Sequence, residues 1–399
     1  MRTTLRQLAA LLALALAKGA GAHAPPPEAP QVEVTPAVSP ACRTDAASLH
    51  FDFAGAAPSA CAINGARDFT LLVTPEHAPP INPSPWYAFR YEADDGGPIT
   101  VTLRYLAGQH RYAPKLAAGD GEWRALPIES TQDGRGAILR LPTGTGVVSA
   151  QESIVPADAV ADLARWSKLA GTRPFVIGQS HDGRPIEAIR IGRADAPRLV
   201  VLLGRQHPPE VSGAIAMRAF VDALVAERAR APQDFADLQF LVVPMLNPDG
   251  VVRGHWRANR GAQDLNRDWG AFVQPETRSV KTWLDALPPG VRPVLMVDFH
   301  STRSNLFYVQ GKDEASAAQQ RFLARWLAGR ENAVSGYPFT IEPRNANPGS
   351  GTAKNWFHAA YGIPAYTYEV ADEADRPATR AAAGMLAQNL PEALTTLAD

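Results

Sequence analysis

Three predominantly apolar runs, 198–203, 238–244 and 294–299, constrain this chain more than any other feature. A strand with one wet face alternates apolar and polar residues, whereas these runs do not, so each must be covered on both faces. Between and around them lie helical patterns. Residues 156–171 place Val160, Leu163, Trp166 and Leu169 on one face and stop at Gly171, and 211–228 and 276–287 read as further helices. Two shorter strands, 175–177 and 186–191, flank the turn at Asp182-Gly183. Strands alternating with helices dictate an α/β domain over 155–399, with a mixed, mostly parallel sheet and helices on both faces.

The residues before it follow a different grammar. Candidate strands at 48–53, 68–74, 86–92, 99–106 and 137–141 are separated by Asp-Gly, Gly-Gly and Pro clusters with no helical stretch between them. That pattern predicts an all-β sandwich over 47–142, joined through a linker at 143–154 that begins with Thr143-Gly144-Thr145-Gly146. Further upstream, Arg2 and Arg6 precede the apolar run 8–17, and Ala22-His23-Ala24 offers small residues for cleavage. Residues 1–24 therefore read as a signal peptide and 25–46 as an extended, Pro- and Ala-rich tether. Ten apolar residues span about 15 Å as a helix, half of a bilayer core, which argues against a retained anchor. The expectation is an exported protein, periplasmic or extracellular.

Charge and cysteine content narrow the chemistry. Lys plus Arg number 39 against 40 Asp plus Glu, so the chain has no electrostatic footprint for nucleic acid, and no membrane partner is expected after cleavage. Two cysteines exclude a Cys-rich metal module and permit one bridge, Cys42 to Cys61, in the exported context. Any metal site must use His and carboxylates. Strand ends are where an open α/β sheet collects functional groups, and polar residues stand there. Run 198–203 leads into His207-Pro208-Pro209-Glu210, and run 294–299 leads into His300. Two imidazoles and a carboxylate with an open fourth position make a catalytic rather than a structural zinc site.

The wider series sharpens this. Asn247-Pro248-Asp249-Gly250 is followed by His255-Trp256-Arg257, Asp264-Leu265-Asn266-Arg267, Asp298-Phe299-His300 and Tyr366-Thr367-Tyr368-Glu369. In this order the motifs resemble the M14 zinc carboxypeptidase family. Arg205-Gln206-His207, Asp264-Leu265-Asn266-Arg267 and the stretch from Asn82 to Arg90 look like its cytosolic-carboxypeptidase branch. The resemblance implies one zinc ion held by His207, Glu210 and His300, with Arg257 stabilising the oxyanion. It further implies that Asn266 and Arg267 hold the substrate's terminal carboxylate and that Glu369 is the general base. A planar guanidinium suits a carboxylate and a carboxylate can shuttle the water's proton, so each role is physically reasonable.

Counting back from Glu369, the resemblance puts Lys354 on the floor of the specificity pocket, which implies a preference for C-terminal Glu or Asp. The same count puts Asn347 where pancreatic-type relatives carry a capping tyrosine, so that cap is either missing or supplied from elsewhere. Of the other histidines, His77 is assigned to the β-domain and His255 to packing or support, since no zinc ligand is lacking. The leading expectation is a metallocarboxypeptidase acting on peptides. A zinc amidohydrolase or deacylase acting on N-acyl amino acids or cell-wall stem peptides is the second reading, and an inactive peptide-binding module the third.

Overall fold

The computed structural model describes residues 42–77, 86–119, 121–344 and 349–397. The signal peptide, most of the tether, Asn82 and Asn347 lie outside the described residues. No helix among the described residues is long and apolar enough to cross a membrane.

Ten strands open the described chain: β1 (Ala47–His50), β2 (Ala60–Gly65), β3 (Asp68–Val73), β4 (Ala88–Ala93), β5 (Ile99–Tyr105), β6 (Lys115–Ala118), β7 (Trp123–Ala125), β8 (Ile128–Ser130), β9 (Ala137–Leu141) and β10 (Gly144–Ser149). They form two five-stranded sheets, ordered β1-β4-β10-β6-β7 and β2-β3-β5-β9-β8. Period-two alternation turns Phe69, Leu71, Val101, Leu103 and Leu139 of one sheet towards Leu49, Phe89, Tyr91 and Val148 of the other, in one shared core. Five of the ten strands are visible as runs in the sequence. The others are short or carry polar and small residues.

The linker expected from residue 143 is instead partly strand. β10 lies between β4 and β6 and pairs antiparallel with both. Its glycine is a packing residue rather than a hinge: a Cβ on Gly146 would stand 2.8 Å from the Tyr91 ring and 2.9 Å from Leu116. A disulfide joins Cys42, ahead of β1, to Cys61 in β2 and so ties the edge of one sheet to the edge of the other.

The second domain is built on an eight-stranded sheet of β11 (Pro174–Gln179), β12 (Pro185–Gly192), β13 (Arg198–Gly204), β14 (Leu238–Val243), β15 (Arg292–Thr302), β16 (Leu306–Val309), β17 (Thr340–Pro343) and β18 (Ala365–Ala371). The order is β11-β12-β14-β13-β15-β18-β16-β17, and β14, β13, β15 and β18 run parallel at its centre. Helices α1 (Pro156–Ala170), α2 (Val211–Arg230), α3 (Pro248–Val252), α4 (Pro275–Asp285), α5 (Ala317–Trp326), α6 (Ala353–Tyr361) and α7 (Arg376–Leu394) accompany it. Val200 and Leu202 of β13 enter the core beneath α2 and α7, while Leu199, Val201 and Leu203 enter the core beneath α4 and α6. The apolar run is thus covered on both faces.

Helix α1 begins and ends where expected, with Gly171 in the left-handed conformation at its C-terminus. Its buried face differs, however. Ala159, Asp162, Leu163, Trp166 and Ala170 point inward, leaving Val160 and Leu169 exposed. The turn brings Asp162 to Arg165 and Arg218, an ion-pair network that a purely apolar criterion overlooks.

The two domains are packed together. Val211, Ala214 and Ile215 of α2 and Trp256 belong to the β-domain's core. Polar ties reinforce the seam: Arg376 with Glu152, Lys115 with Glu373, and Arg111 with Asp372 at 2.6 Å. The disulfide closes a loop with a sequence separation of 19. Cys61→Ser should lower the unfolding free energy of the β-domain by about 3 kcal/mol. A denaturant titration whose midpoint fails to move would contradict this.

Candidate metal centre and substrate cleft

The sheet's connections reverse at β13, which has β14 on one side and β15 on the other, so a crevice opens at the carboxyl ends of these strands. Residues 205–210 leave β13 along that crevice. Arg205 holds a positive φ of 53°. Its buried guanidinium donates to the carbonyls of Ile154 and Pro208 at 3.1 and 2.6 Å, locking the turn that aims His207. Glu210 occupies the N-cap of α2. The first turn of α2 lies close against β15 because residue 213 is glycine: a Cβ there would come within 2.5 Å of the His300 carbonyl. The Gly213 N–H donates to Ser301 Oγ at 2.8 Å. This approach brings Glu210 and His300 together, and β15 runs on to Thr302, past the expected end at 299.

His207 Nδ1 lies 2.8 Å from Glu210 Oε1, and His300 Nδ1 lies 2.7 Å from Glu210 Oε2. The opposite ring nitrogens are both engaged. His207 Nε2 donates to Asp264 Oδ1 at 2.9 Å and His300 Nε2 to Asp298 Oδ2 at 2.6 Å. Two imidazoles whose Nε2–H is held by a carboxylate present their Nδ1 lone pairs to a common point, which is how metal-binding histidines are oriented. Asp298 Oδ2 also accepts from Gln206 at 2.5 Å, and Gln206 Oε1 accepts from Trp269 at 2.9 Å. The donor set of two His and one Glu, its donor atoms within 4.8 Å of one another, fits a zinc ion with an open position.

The charges are tightly balanced. Burial would depress the His300 imidazole, but Asp298 and Glu210 more than reverse it and hold it well above its usual range. Burial would raise Asp264, yet His207 and then Arg257 keep it well below the usual carboxylate range. Glu369 behaves in the opposite way. Burial pushes it up to about 7, with His300 opposing and Glu210 adding to the shift, and its Oε2 has no hydrogen-bond partner among the described residues.

All eight residues named from the sequence line one cavity of about 480 Å³. Arg257 Nε donates to Asp264 Oδ2 at 2.8 Å, and its backbone N–H is held at 2.7 Å by Glu76 Oε1 from the β-domain. Asn266 Oδ1 accepts from the Ala353 N–H at 2.8 Å, fixing it against the start of α6. Arg267 Nη1 donates to the Asn266 carbonyl at 2.7 Å. Lys354, in the first turn of α6, is buried and donates to the Arg344 carbonyl at 2.8 Å, and burial brings its pKa down to about 8. Glu369 stands beside His300, since β18 and β15 pair in parallel with these two in register. Thr367 and Glu369 face the cavity while Tyr366 and Tyr368 face the core, as strand alternation predicts.

Several residues in and behind this cavity carry roles that motif reading did not assign. Asp264, Asp298 and Gln206 lie inside the quoted motifs, and only the fold reveals that they orient the histidines. Tyr308 of β16 and Tyr112 of the β-domain place two phenols in the wall, although no tyrosine stands between 337 and 361 in the sequence. Asp298→Asn should weaken zinc binding by roughly 10- to 100-fold, because the amide no longer orients His300 as an anionic acceptor. Competition with a chromophoric chelator measures it; an unchanged zinc affinity would remove Asp298 from the centre.

Comparisons with known proteins point to one family. The zinc carboxypeptidase family (peptidase M14) matches residues 167–389. Cytosolic carboxypeptidase 2 of Danio rerio is 32% identical over 172 residues, covering 40% of this chain and 24% of that protein. An uncharacterized protein of Zymomonas mobilis is 27% identical over 256 residues, 60% of this chain and 66% of its own. The chain therefore spans only about a quarter of the length of the first of these and about two thirds of the second. A metallo-carboxypeptidase structure from Burkholderia cenocepacia superposes with a TM-score of 0.70 at 20% identity, covering 88% of this chain and 99% of that one. One from Pseudomonas aeruginosa, in complex with (2-guanidinoethylmercapto)succinic acid, gives 0.68 at 18% over 88% and 100%. At such identities the likeness is one of fold, and with the family match over 167–389 it places this chain in the zinc carboxypeptidase family.

Proposed function

We propose that this protein is a zinc metallocarboxypeptidase that hydrolyses the C-terminal peptide bond of peptides. The observation that carries this reading is the placement of Glu369, in register beside His300, in the same cavity as the His207, Glu210 and His300 donors and the cationic residues Arg257 and Arg267. When bound, zinc supplies a Lewis acid that lowers the pKa of water towards 7 and polarises a carbonyl. Glu369 takes the attacking water's proton and returns it to the leaving amine. Burial keeps its carboxyl near neutrality, where a group can both accept and donate. Arg257, its guanidinium braced by Asp264, stabilises the charge developing on the scissile carbonyl oxygen. Asn266 and Arg267 hold the substrate's terminal carboxylate, which is what restricts cleavage to the last residue.

Lys354 at the cavity wall gives the preference for a C-terminal Glu or Asp. Its ammonium is charged below about pH 8 and neutral above it. Export, suggested by residues 1–24, places the reaction in the periplasm or outside the cell.

Three outcomes test the assignment on a peptide panel varied at its last residue. Glu369→Gln should lower kcat by about 10²- to 10⁴-fold with zinc content unchanged, the loss expected of a general base. Turnover surviving both this substitution and chelation would refute the mechanism. Peptides ending in Glu or Asp should be cleaved faster than those ending in Leu or Arg, with the advantage fading as pH rises through 8 and absent in Lys354→Ala. Rates on Leu or Arg equal to those on Glu at pH 7 would dismiss Lys354 as the selector.

A further inference from the structure

A second group of metal-binding side chains lies at the seam between the domains, apart from the residues that line the cleft. Glu76 and His77 follow β3 in the β-domain, and His255 sits two residues before Arg257 in the catalytic domain. One donor atom from each lies within 4.8 Å of the others, and the residues are 8%, 1% and 3% exposed. The two imidazoles meet edge to face with ring centres 6.0 Å apart.

An unsatisfied carboxylate oxygen points to a cation rather than to ordinary packing. Glu76 uses Oε1 for the N–H groups of Arg257 and Ala258 at 2.7 and 2.9 Å, whereas its buried Oε2 has no hydrogen-bond partner among the described residues. Leaving one oxygen of a buried carboxylate unsatisfied carries a desolvation penalty, which an ion at that oxygen would offset. His255 Nδ1 donates to the Ala258 carbonyl at 3.1 Å, so the proton sits on Nδ1 and the lone pair on Nε2. Two imidazoles and a carboxylate form a borderline donor set that suits zinc better than calcium or magnesium. A tetrahedral ion with bonds of about 2.1 Å sets its ligand atoms about 3.4 Å apart, inside the 4.8 Å limit within which these donors lie.

We propose that Glu76, His77 and His255 bind a second zinc ion, a structural one that pins the β-domain to the loop carrying Arg257. The metal content of purified holoprotein, measured by mass spectrometry alongside thermal unfolding, tests this independently of activity. The wild type should carry two zinc ions per chain. His77→Ala, His255→Asn and Glu76→Gln should each carry one and unfold at lower temperature, and His207→Ala should also carry one. Glu76→Gln keeps the side-chain volume and the Oε1 acceptor, so loss of the ion is read in a folded protein even if a histidine variant fails to fold. A wild type with a single zinc that His207→Ala removes would overturn the proposal, as would two zincs retained in folded Glu76→Gln.

Discussion

The close approach of the first turn of α2 to β15 is the contact on which the rest of this molecule depends. Glu210 stands at the N-cap position of α2 and His300 lies on β15, and only the absence of a side chain at Gly213 allows the two elements to meet. A methyl group there would push against the backbone of His300 and separate the carboxylate from its imidazole partner. The metal centre is therefore not a loop assembly laid on a finished fold. It sits where the main parallel strands and the longest of the described helices converge, so the core burial that stabilises the sheet also positions the candidate ligands.

Much of this was legible in the sequence because chemistry restricts residue types more tightly than packing does. A buried apolar run that leads into His207 or His300, or alternation that isolates Glu369 among tyrosines, has few structural explanations. The apolar runs that become β13, β14 and β15 were equally readable, since both of their faces are covered. What escaped detection depended on contacts between distant segments. Gly144–Ser149 reads as a linker because two glycines weaken the strand pattern, and only the Tyr91 ring and Leu116 reveal why glycine is needed there. The buried face of α1 was misjudged because its inward residue Asp162 is polar and is matched by Arg218 from another helix. Glu76 holds the backbone of Arg257 across 181 residues of sequence, a distance that no local pattern bridges.

That last contact bears on why a small β-domain precedes the hydrolytic one. Its core is completed by α2 and Trp256, its Arg111 reaches Asp372 just beyond β18, and its Glu76 fixes the peptide at Arg257. Each tie lands next to an element that carries a functional group. Tyr112 and Arg111 also form part of the cavity wall. The β-domain is thus a structural partner of the cleft, and loosening the seam would disturb Arg257 before it disturbed the sheet.

Charge within the cleft follows from how its cations are engaged rather than from their number. Arg257 is matched by Asp264, Arg111 by Asp372 and Arg344 by Glu342. Arg267 and Lys354 differ, because among the described residues their side chains donate to neutral oxygens: the Asn266 carbonyl for one, the Arg344 carbonyl and Asn355 Oδ1 for the other. An arriving anion gains most where positive charge is not already neutralised by a bonded carboxylate. Near-neutral overall composition therefore coexists with two separate cationic positions in one cavity.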